Sequence, residues 1–482
     1  MTTMESGTVA WVNGAAVEND STFEVLNPAT GETVASVVDA TSELIHAAID
    51  AADAAFSGWS QTPAAERAAL LRAWADLIEA HTAEIAEITT TEGGKLFREA
   101  RGEVGAGTAA IRWSAQLAEE AAEMDLGTPA PTRRHFMTKQ PVGVVACITP
   151  WNFPIAAVLV KVGAAVAAGC TVVVKPSEET PLVASALAQL ATDSGLPHGV
   201  INVVATSTPS LFGDAIAARK EVRAVSFTGS TKVGKHLYEQ CSGTVKRLSL
   251  ELGGNAPFIV FADADIERAA SDAVNARFYN TGQICVGANR FFVHDDIYDE
   301  FADVFAVKVA ALNVGDVMAE DADIGPLINR RAKDHFSSLL ADAIDKGATV
   351  VTGGEHVDTE SLFVEPTVLT NATADMDAYT KEIFGPMALL YRFSEAGDVI
   401  EQANDTDAGL AAYAYSGDHD FLAGVGAQLE AGVVGLNTTQ IFASELPFGG
   451  IKESGIGREW GTDCLDEFLE IKAFAFETGA AS

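Results

Sequence analysis

Apolar and polar positions along the chain follow two different periods, which divide it into a helical first quarter and a longer region of alternating strands and helices. Between about residues 42 and 124, alanine, leucine and isoleucine recur at the three- and four-residue spacing of amphipathic helices. From Gly143 onward, short β-branched runs such as 171–174 alternate with helical patterns such as 182–194. Such alternation predicts βαβ units around a parallel sheet, which binds nucleotides beyond the carboxyl ends of its strands.

A second series of strands and helices runs from residue 256 to about 437, and strand-like segments near 133–140 and 473–477 stand apart from both series. With 482 residues the chain is too long for one hydrophobic core, so two or three domains are expected. The apolar run at 155–174 resembles a membrane span in length. Its second half is β-branched and ends at a proline, which predicts a helix followed by a buried strand instead.

The charge balance is strongly acidic, because 31 lysines and arginines against 67 aspartates and glutamates give a net charge of −36. A chain this acidic is repelled by nucleic acid and by anionic membrane surfaces, so neither is expected as a partner. The acidic residues are spread along the chain, which suggests a halophilic surface in a high-salt cytoplasm, where self-repulsion is screened. An acidic protein of an ordinary cytoplasm is the alternative.

The cysteines also bear on the compartment. Five cysteines, an odd number without a C-x-x-C pair, favour a reducing environment and one or two functional thiols at most. The first residues show neither a basic region nor a long apolar stretch, so no signal peptide is predicted. We therefore expect a cytoplasmic protein.

A glycine-rich turn at 229–236 has the spacing of a phosphate-binding loop and follows a predicted strand. His236 stands where that loop requires a Mg²⁺-binding serine or threonine, so a P-loop that hydrolyses ATP is disfavoured and is kept only as an alternative. The strand, the turn at Gly229 and the following helix still predict backbone N–H groups that face a phosphate. The first strand is not followed by a G-x-G-x-x-G fingerprint.

Two further residues have surroundings that suit catalysis. Cys285 lies in a polar, glycine-flanked stretch that predicts a loop or a helix start, whereas the other four cysteines lie in apolar or ordinary helical segments. Glu251 lies in an apolar strand that ends at two glycines. Burial there would raise its pKa into the range of a general base, and a surface-facing strand position is the alternative.

Seven short motifs occur together along nearly the whole chain: 148–154 (ITPWNFP), 175–178 (KPSE), 227–230 (FTGS), 250–254 (LELGG), 282–285 (GQIC), 382–386 (EIFGP) and 447–450 (PFGG). In this combination the sequence resembles the aldehyde dehydrogenase superfamily, and within it the succinate-semialdehyde dehydrogenases. The resemblance implies an α/β fold with a Rossmann-type NAD(P)-binding domain (1–124 and 141–253) and an α/β catalytic domain (254–440). It also implies a small β oligomerisation element (125–140 and 459–482) and a homodimer or homotetramer.

The resemblance assigns the chemistry to Cys285, Glu251 and Asn152, without a metal. The Cys285 thiolate would add to the carbon of a small aldehyde, and hydride loss would leave a thioester. The Asn152 side-chain amide and the Cys285 backbone N–H would hold the oxyanion, and Glu251 would activate the hydrolytic water. A catalytically silent NAD-binding homologue is the alternative, and the presence of all three residues disfavours it.

The resemblance also implies which residues bind NAD or NADP. Glu178 falls where the family contacts the adenine ribose, and a carboxylate there repels a 2′-phosphate, which favours NAD. The expected cofactor contacts are Thr149, Pro150, Trp151, Lys175, Ser177, Glu178, Gly229, Ser230, Leu252, Glu382 and Phe384.

The expected substrate pocket departs from the subfamily. Val160 and Tyr279 occupy the two positions at which succinate-semialdehyde dehydrogenases carry arginines for the substrate carboxylate, and the loss of both should weaken an anionic substrate. With Trp113 and Phe442 they predict an aromatic, uncharged tunnel for a neutral aliphatic, hydroxy or aromatic aldehyde, although these aromatics suit core packing equally well. A semialdehyde substrate, with Arg112 as a replacement cation, is the alternative.

Overall fold

The computed structural model describes residues 10–120, 124–130, 133–354 and 360–477, so the ends of the predicted ranges 1–124 and 459–482 lie partly outside the described residues. The helices share apolar faces directed at one of two large sheets. They are α1 (Ser42–Trp59), α2 (Ala64–Ala80), α3 (Thr82–Gly93), α4 (Phe97–Glu120), α5 (Ala156–Ala168), α6 (Leu182–Asp193), α7 (Pro209–Ala218), α8 (Thr231–Cys241), α9 (Ile266–Phe278), α10 (Tyr298–Ala310), α11 (Arg330–Asp345), α12 (Asp377–Thr380), α13 (Ala396–Asn404) and α14 (His419–Gly426).

The strands are short, and the buried ones are rich in β-branched residues. They are β1 (Ala10–Val12), β2 (Ala15–Val17), β3 (Thr22–Leu26), β4 (Thr33–Val38), β5 (Met124–Ala130), β6 (Arg133–Pro141), β7 (Val144–Ile148), β8 (Thr171–Lys175), β9 (Ile201–Val203), β10 (Val222–Thr228), β11 (Arg247–Glu251), β12 (Ala256–Val260), β13 (Ala288–His294), β14 (Thr349–Thr352), β15 (Thr367–Thr370), β16 (Met387–Phe393), β17 (Ala408–Gly409), β18 (Ala411–Tyr415), β19 (Val433–Leu436), β20 (Ile451–Lys452), β21 (Gly455–Ile456) and β22 (Leu469–Glu477).

The first large sheet has the strand order β2-β1-β9-β8-β7-β10-β11-β21. Its five central strands, β9 to β11, are parallel, and its edge strands pair antiparallel. Helices α2, α4, α5 and α6 contribute to the core on one face, while α1, α7 and α8 contribute to the core on the other. The carboxyl ends of β7, β8, β10 and β11 therefore meet along one edge, as the predicted βαβ pattern requires.

The second large sheet has the order β14-β15-β16-β13-β12-β18-β19 and is parallel except at β14. Its cores contain residues of α9 and α10 on one side and of α11, α13 and α14 on the other. The second series of strands and helices, predicted to begin at residue 256, lies in this sheet and opens with β12.

The apolar run at 155–174 forms α5 and β8, and every residue of β8 is buried. Gly169 ends the helix with a φ of +97°, a conformation that favours glycine. The predicted helix followed by a buried strand is confirmed. Within the described part of the chain, no helix combines the length and the apolar character that crossing a membrane requires.

A third sheet, β22-β6-β5, is antiparallel and separate from the two large ones. It contains both strand-like segments that the sequence sets apart, 133–140 and 473–477. The rings of Phe136 and Phe474 stack at a centroid distance of 4.6 Å, whereas Ile471 and Phe476 are exposed.

Candidate active site

The site lies where the two large sheets face each other through their loops. Glu251 is the last residue of β11 and pairs with Thr228, the last residue of β10. The turn at Gly229 follows directly, and its N–H donates to the Glu251 carbonyl over 3.0 Å. The register of two parallel strands thus brings Glu251 next to the turn that resembles a phosphate-binding loop.

The Cys285 loop belongs to the second sheet and has a constrained backbone. Asn280 and Thr281 have φ values of 50° and 57°, followed by Gly282 at 72°. Positive φ is costly for non-glycine residues, so surrounding contacts must maintain it. Buried side chains provide them: Glu99 accepts from the Asn280 N–H at 3.2 Å, and the Thr281 hydroxyl accepts from Gly325 N–H at 3.0 Å.

Cys285 and Glu251 meet in the space between the two sheets. Burial raises the pKa of Glu251 well above its ordinary value, and the nearby Glu459 adds to the rise, while a hydrogen bond with the Cys285 thiol opposes it. Burial also raises the pKa of Cys285, and the carboxyl groups of Glu251 and Glu382 raise it further. Both shifts favour the neutral forms of the thiol and the carboxyl group. Once ionised, a carboxyl group in this position can take a proton from a nearby thiol or water molecule.

Lys161 and Glu459 form an ion pair close to Glu251, and our sequence analysis did not assign either residue to the site. The Lys161 ammonium also contacts the Ser226 hydroxyl at 3.2 Å. It lowers the pKa of Glu251, although less than burial and Glu459 raise it. One signal was available, since Lys161 is the only charge in the apolar run at 155–174.

Asn152 precedes α5 and lies against the Cys285 loop. Its Nδ2 donates to the Gln283 carbonyl at 2.9 Å, and its own carbonyl accepts from Asn280 Nδ2 at 3.1 Å. The Asn152 side chain is buried. A side-chain amide within two residues of the thiol-bearing backbone can stabilise an oxygen anion formed there.

Several expected cofactor contacts converge beside the thiol. The Trp151 and Phe384 rings meet edge to face at 5.5 Å, and Gly254 N–H donates to the Glu382 carboxyl at 3.2 Å. Burial raises the pKa of Glu382 to about 7. Ser230 caps α8 by accepting from Val233 N–H at 3.4 Å. A helix amino terminus, a carboxyl group and two rings in one cavity match the phosphate, ribose and planar ring of a dinucleotide.

Two buried hydroxyl groups support this fit. Thr149 and Thr228 follow or end parallel strands, and their Oγ1 atoms have no hydrogen-bond partner among the described residues. A β-carbon at Gly253 would lie 3.0 Å from a Glu382 carboxyl oxygen, so this wall is closely packed against the carboxyl group. A bound nucleotide needs open space and hydrogen-bonding groups without other partners at the ends of the strands, and these residues provide such groups.

The remaining expected cofactor residues lie around the end of β8, outside the wall of the catalytic cavity. The Lys175 ammonium is buried and contacts the Pro176 carbonyl at 3.0 Å and the Glu178 carboxyl at 3.3 Å. The Ser177 hydroxyl accepts from Glu179 N–H at 3.3 Å. Pro150 and Leu252 do line the catalytic cavity.

The cavity around Cys285 has a volume of about 710 Å³. Val160, Tyr279 and Phe442 line it as predicted, together with Phe153, which stacks on Tyr279 at 6.3 Å and which the sequence analysis missed. Four glutamate side chains reach its wall, and no lysine, arginine or histidine of the described chain does: the glutamates are Glu103, Glu251, Glu382 and Glu459.

Two residues considered for the substrate pocket lie elsewhere. Trp113 donates from Nε1 to the Gly461 carbonyl at 2.8 Å and lines a separate small cavity. Arg112 pairs with Asp76 and Glu79, both at 2.8 Å, on the outer face of α4. The interpretation of Arg112 as a substrate clamp is wrong, because helix packing directs its side chain to these carboxylates.

A family comparison gives this geometry its context. The family model described as "Aldehyde dehydrogenase family" matches residues 13–474. The chain belongs to the aldehyde dehydrogenase family. The predicted α/β aldehyde dehydrogenase fold and NAD(P)-dependent aldehyde oxidation are thereby confirmed at the level of the family.

Curated relatives and solved structures agree with this aldehyde dehydrogenase assignment. Succinate-semialdehyde dehydrogenase [NADP(+)] of Escherichia coli is 44% identical, with 96% of each chain covered. Glutarate-semialdehyde dehydrogenase of Pseudomonas putida is 42% identical, also with 96% of each covered. The structure of succinate-semialdehyde dehydrogenase from Burkholderia pseudomallei has a TM-score of 0.96 at 46% identity and covers 98% of both chains.

Proposed function

We propose that this aldehyde dehydrogenase oxidises a neutral aldehyde through a covalent thioester on Cys285, with Glu251 as general base and Asn152 as oxyanion donor. The observation that carries the proposal is the convergence of the Cys285 thiol, the Glu251 carboxyl group and the Asn152 amide around one cavity. A catalytically silent homologue would not need a buried carboxyl group held against a thiol.

In the first half of the reaction, ionised Glu251 takes the thiol proton while Cys285 sulfur bonds to the aldehyde carbon. The carbonyl oxygen becomes an anion, which the Asn152 Nδ2 and the Cys285 backbone N–H stabilise. NAD(P)⁺, when bound, supplies the two-electron acceptor of the oxidation. Trp151, Phe384, Glu382, Gly229 and Ser230 would hold it there, with Thr149, Pro150 and Leu252 beside them.

In the second half, a thioester on Cys285 is hydrolysed. Once Glu251 has released the thiol proton to solvent, it takes a proton from water, the hydroxyl oxygen bonds to the thioester carbon, and the carbon–sulfur bond breaks. The carboxylate product leaves and Cys285 regains a proton. The Lys161–Glu459 pair lies beside Glu251 and sets the charge that surrounds it during this proton transfer.

The charge of the cavity supports a neutral substrate. Its wall carries no lysine, arginine or histidine of the described chain, so a substrate carboxylate would be left without a charged partner. Val160 and Tyr279 fill the places of the two arginines that succinate-semialdehyde dehydrogenases use. The relatives named for semialdehydes keep a semialdehyde as the second candidate.

Initial rates with propanal, benzaldehyde, lactaldehyde and succinate semialdehyde test this proposal, each with NAD and with NADP. We expect the neutral aldehydes to exceed succinate semialdehyde at least tenfold in kcat/KM, about 1.4 kcal/mol. We expect Tyr279→Arg to raise kcat/KM for succinate semialdehyde by about tenfold, since a charged pair replaces a neutral contact. Tyr279→Phe is the control. A native preference for succinate semialdehyde would overturn the neutral assignment.

We also propose that NAD is preferred over NADP. The Glu178 carboxyl group lies 3.3 Å from the buried Lys175 ammonium, where both can receive ribose hydroxyls and the carboxylate repels a 2′-phosphate. Some relatives are named for NADP(+). An NADP preference in the same rate measurements would contradict this interpretation of Glu178.

We further propose a cytoplasmic homodimer or homotetramer adapted to high salt, with the sheet β22-β6-β5 as its oligomerisation element. All five cysteines lie within the described residues and are unpaired, which suits a reducing compartment. Ile471 and Phe476 are exposed on opposite faces of β22, and burial against a second subunit would cover such apolar side chains. The first large sheet would be the NAD(P)-binding domain and the second the catalytic domain.

A further inference from the structure

Arg277, near the end of α9, is a fully buried arginine whose guanidinium donates to backbone carbonyl groups. Burial lowers its pKa to about 10, and Glu382 opposes the shift, so the guanidinium keeps its charge at neutral pH. A buried charge is costly unless hydrogen bonds compensate for it. The contacts that compensate Arg277 therefore show what holds it in place.

The guanidinium of Arg277 spans two segments of the active site. Its NH2 donates to the Gly282 carbonyl at 3.1 Å, three residues before Cys285. Its Nε donates to the Gly385 carbonyl at 3.0 Å, directly after Phe384, and NH2 contacts the same carbonyl. Its NH1 donates to the Ala288 carbonyl at 3.1 Å, three residues after Cys285.

These two segments also touch each other directly. A β-carbon added to Gly282 would lie 2.4 Å from the Gly385 carbonyl oxygen, so the backbones are packed as closely as glycine allows. Gly282 has a φ of 72° and Phe384 a φ of 47°, so both backbones hold unusual conformations at the junction. The planar, five-donor guanidinium can bond both sides at once, which a lysine ammonium cannot do with the same geometry.

We propose that Arg277 is a positioning residue that sets the separation between the Cys285 thiol and the Glu382–Phe384 segment. The inference rests on the proposed roles of Cys285 as nucleophile and of Glu382 and Phe384 as cofactor contacts. Arg277 touches neither the substrate nor the cofactor. It controls how well the carbon bound to Cys285 is aligned with the oxidant, and it has no part in the attack of the thiol.

Ester hydrolysis distinguishes the alignment of the bound carbon with the oxidant from the attack of the thiol. Hydrolysis of 4-nitrophenyl acetate is expected to need Cys285 and Glu251 but no nucleotide. For Arg277→Lys we expect aldehyde-oxidation kcat to fall about 100-fold while ester hydrolysis without nucleotide stays within about threefold. With a C1-deuterated aldehyde, the isotope effect on kcat should increase, because the carbon–hydrogen bond-breaking step becomes rate-limiting. NADH binding, followed by fluorescence, should weaken as well.

Arg290→Lys is the matched control. Arg290 is also buried, and it donates to the backbone carbonyls of Asn255, Gln402 and Ala403, outside the Cys285 loop. We expect this control to lose stability like Arg277→Lys but to keep the native ratio of the two activities. A parallel loss of both activities in Arg277→Lys, or an unchanged ratio, would overturn the inference. If Cys285→Ala keeps either activity, the proposed nucleophile itself fails and the inference falls with it.

Discussion

At the scale of single residues, Cys285 differs from the other cysteines in its neighbours rather than in acidity. Burial raises the pKa of Cys147 to about 12 and that of Cys170 to about 11, and it raises the pKa of Cys285 too. The distinction is that the Cys285 thiol and the Glu251 carboxyl group line the same cavity. Reactivity therefore depends on a proton acceptor beside an accessible thiol, whereas Cys147 and Cys170 are fully buried and do not line the cavity.

The pH dependence of turnover should follow Glu251. Its pKa is raised, so the carboxyl group is protonated at low pH and cannot accept a proton; kcat should rise as pH increases through that pKa. We expect Glu251→Gln to lower kcat by about 10²- to 10⁴-fold and to remove this rise.

Rapid-mixing measurements distinguish the two halves of the reaction in Glu251→Gln. A burst of NADH close to one equivalent per site should remain, although slower, because hydrolysis of the thioester is the step most affected. Glu239→Gln, on the exposed face of α8, is the control. A variant without Glu251 that turns over at the native rate at every pH would exclude Glu251 as the base.

At the scale of elements, two helices beside the site have amino termini capped by carboxyl groups from distant parts of the chain. Neither α5 nor α6 has a side-chain cap at its own N-cap residue. Glu103 accepts from Ile155 N–H at 2.8 Å and from Ala156 N–H at 2.9 Å, and it also pairs with Lys95. These caps join the α3–α4 region to α5, which follows Asn152.

The Glu92 carboxyl group caps α6 by accepting from Leu182 N–H at 2.8 Å and from Val183 N–H at 3.0 Å. We expect Glu92→Ala to lower the free energy of unfolding by about 1–3 kcal/mol, because two buried N–H groups lose their acceptor. Glu87→Ala, at an exposed position of α3, the helix that carries Glu92, should change the free energy of unfolding little.

The contribution of Glu92 to the stability of the folded chain also depends on pH. Burial raises its pKa from 4.5 to about 8, so the folded chain keeps a proton that the unfolded chain has lost. Its protonation-linked stabilisation is complete at low pH and is lost as pH rises towards about 8. Denaturant unfolding at several pH values should show this component in the native chain and not in Glu92→Ala. An identical pH profile in both would contradict it.

At the scale of the whole molecule, the proposed oligomerisation sheet gives a direct prediction. Ile471 is 65% exposed on β22, so Ile471→Glu should shift the native oligomer towards monomers by placing a charge in the subunit interface. Light scattering in molar KCl measures the mass. Val307→Glu, at a position 71% exposed on α10, should leave the mass unchanged. A native monomer, or an unchanged mass for Ile471→Glu, would contradict the proposal.

Much of the molecule could be predicted before any tertiary contact was known. The β-branched run at 171–174 predicted β8, because burial on both faces of a parallel sheet favours such residues. The motif residues Glu251 and Cys285 were assigned from the family resemblance, and the structure brings them together. Trp113 was placed in the pocket by its position in the sequence, whereas its indole bonds Gly461 elsewhere.

The sequence by itself determined the element order, the family and the residue types of the chemistry, since periodicity and short motifs are local properties of the chain. Only the tertiary structure decided which side chains share the cavity, because their directions depend on packing between segments far apart in sequence. Lys161 and Glu459 pair across 298 positions, and Arg277 reaches Gly385 across 108. For the same reason Arg112 pairs with Asp76 and Glu79, so the guanidinium charge of Arg112 does not reach the cavity.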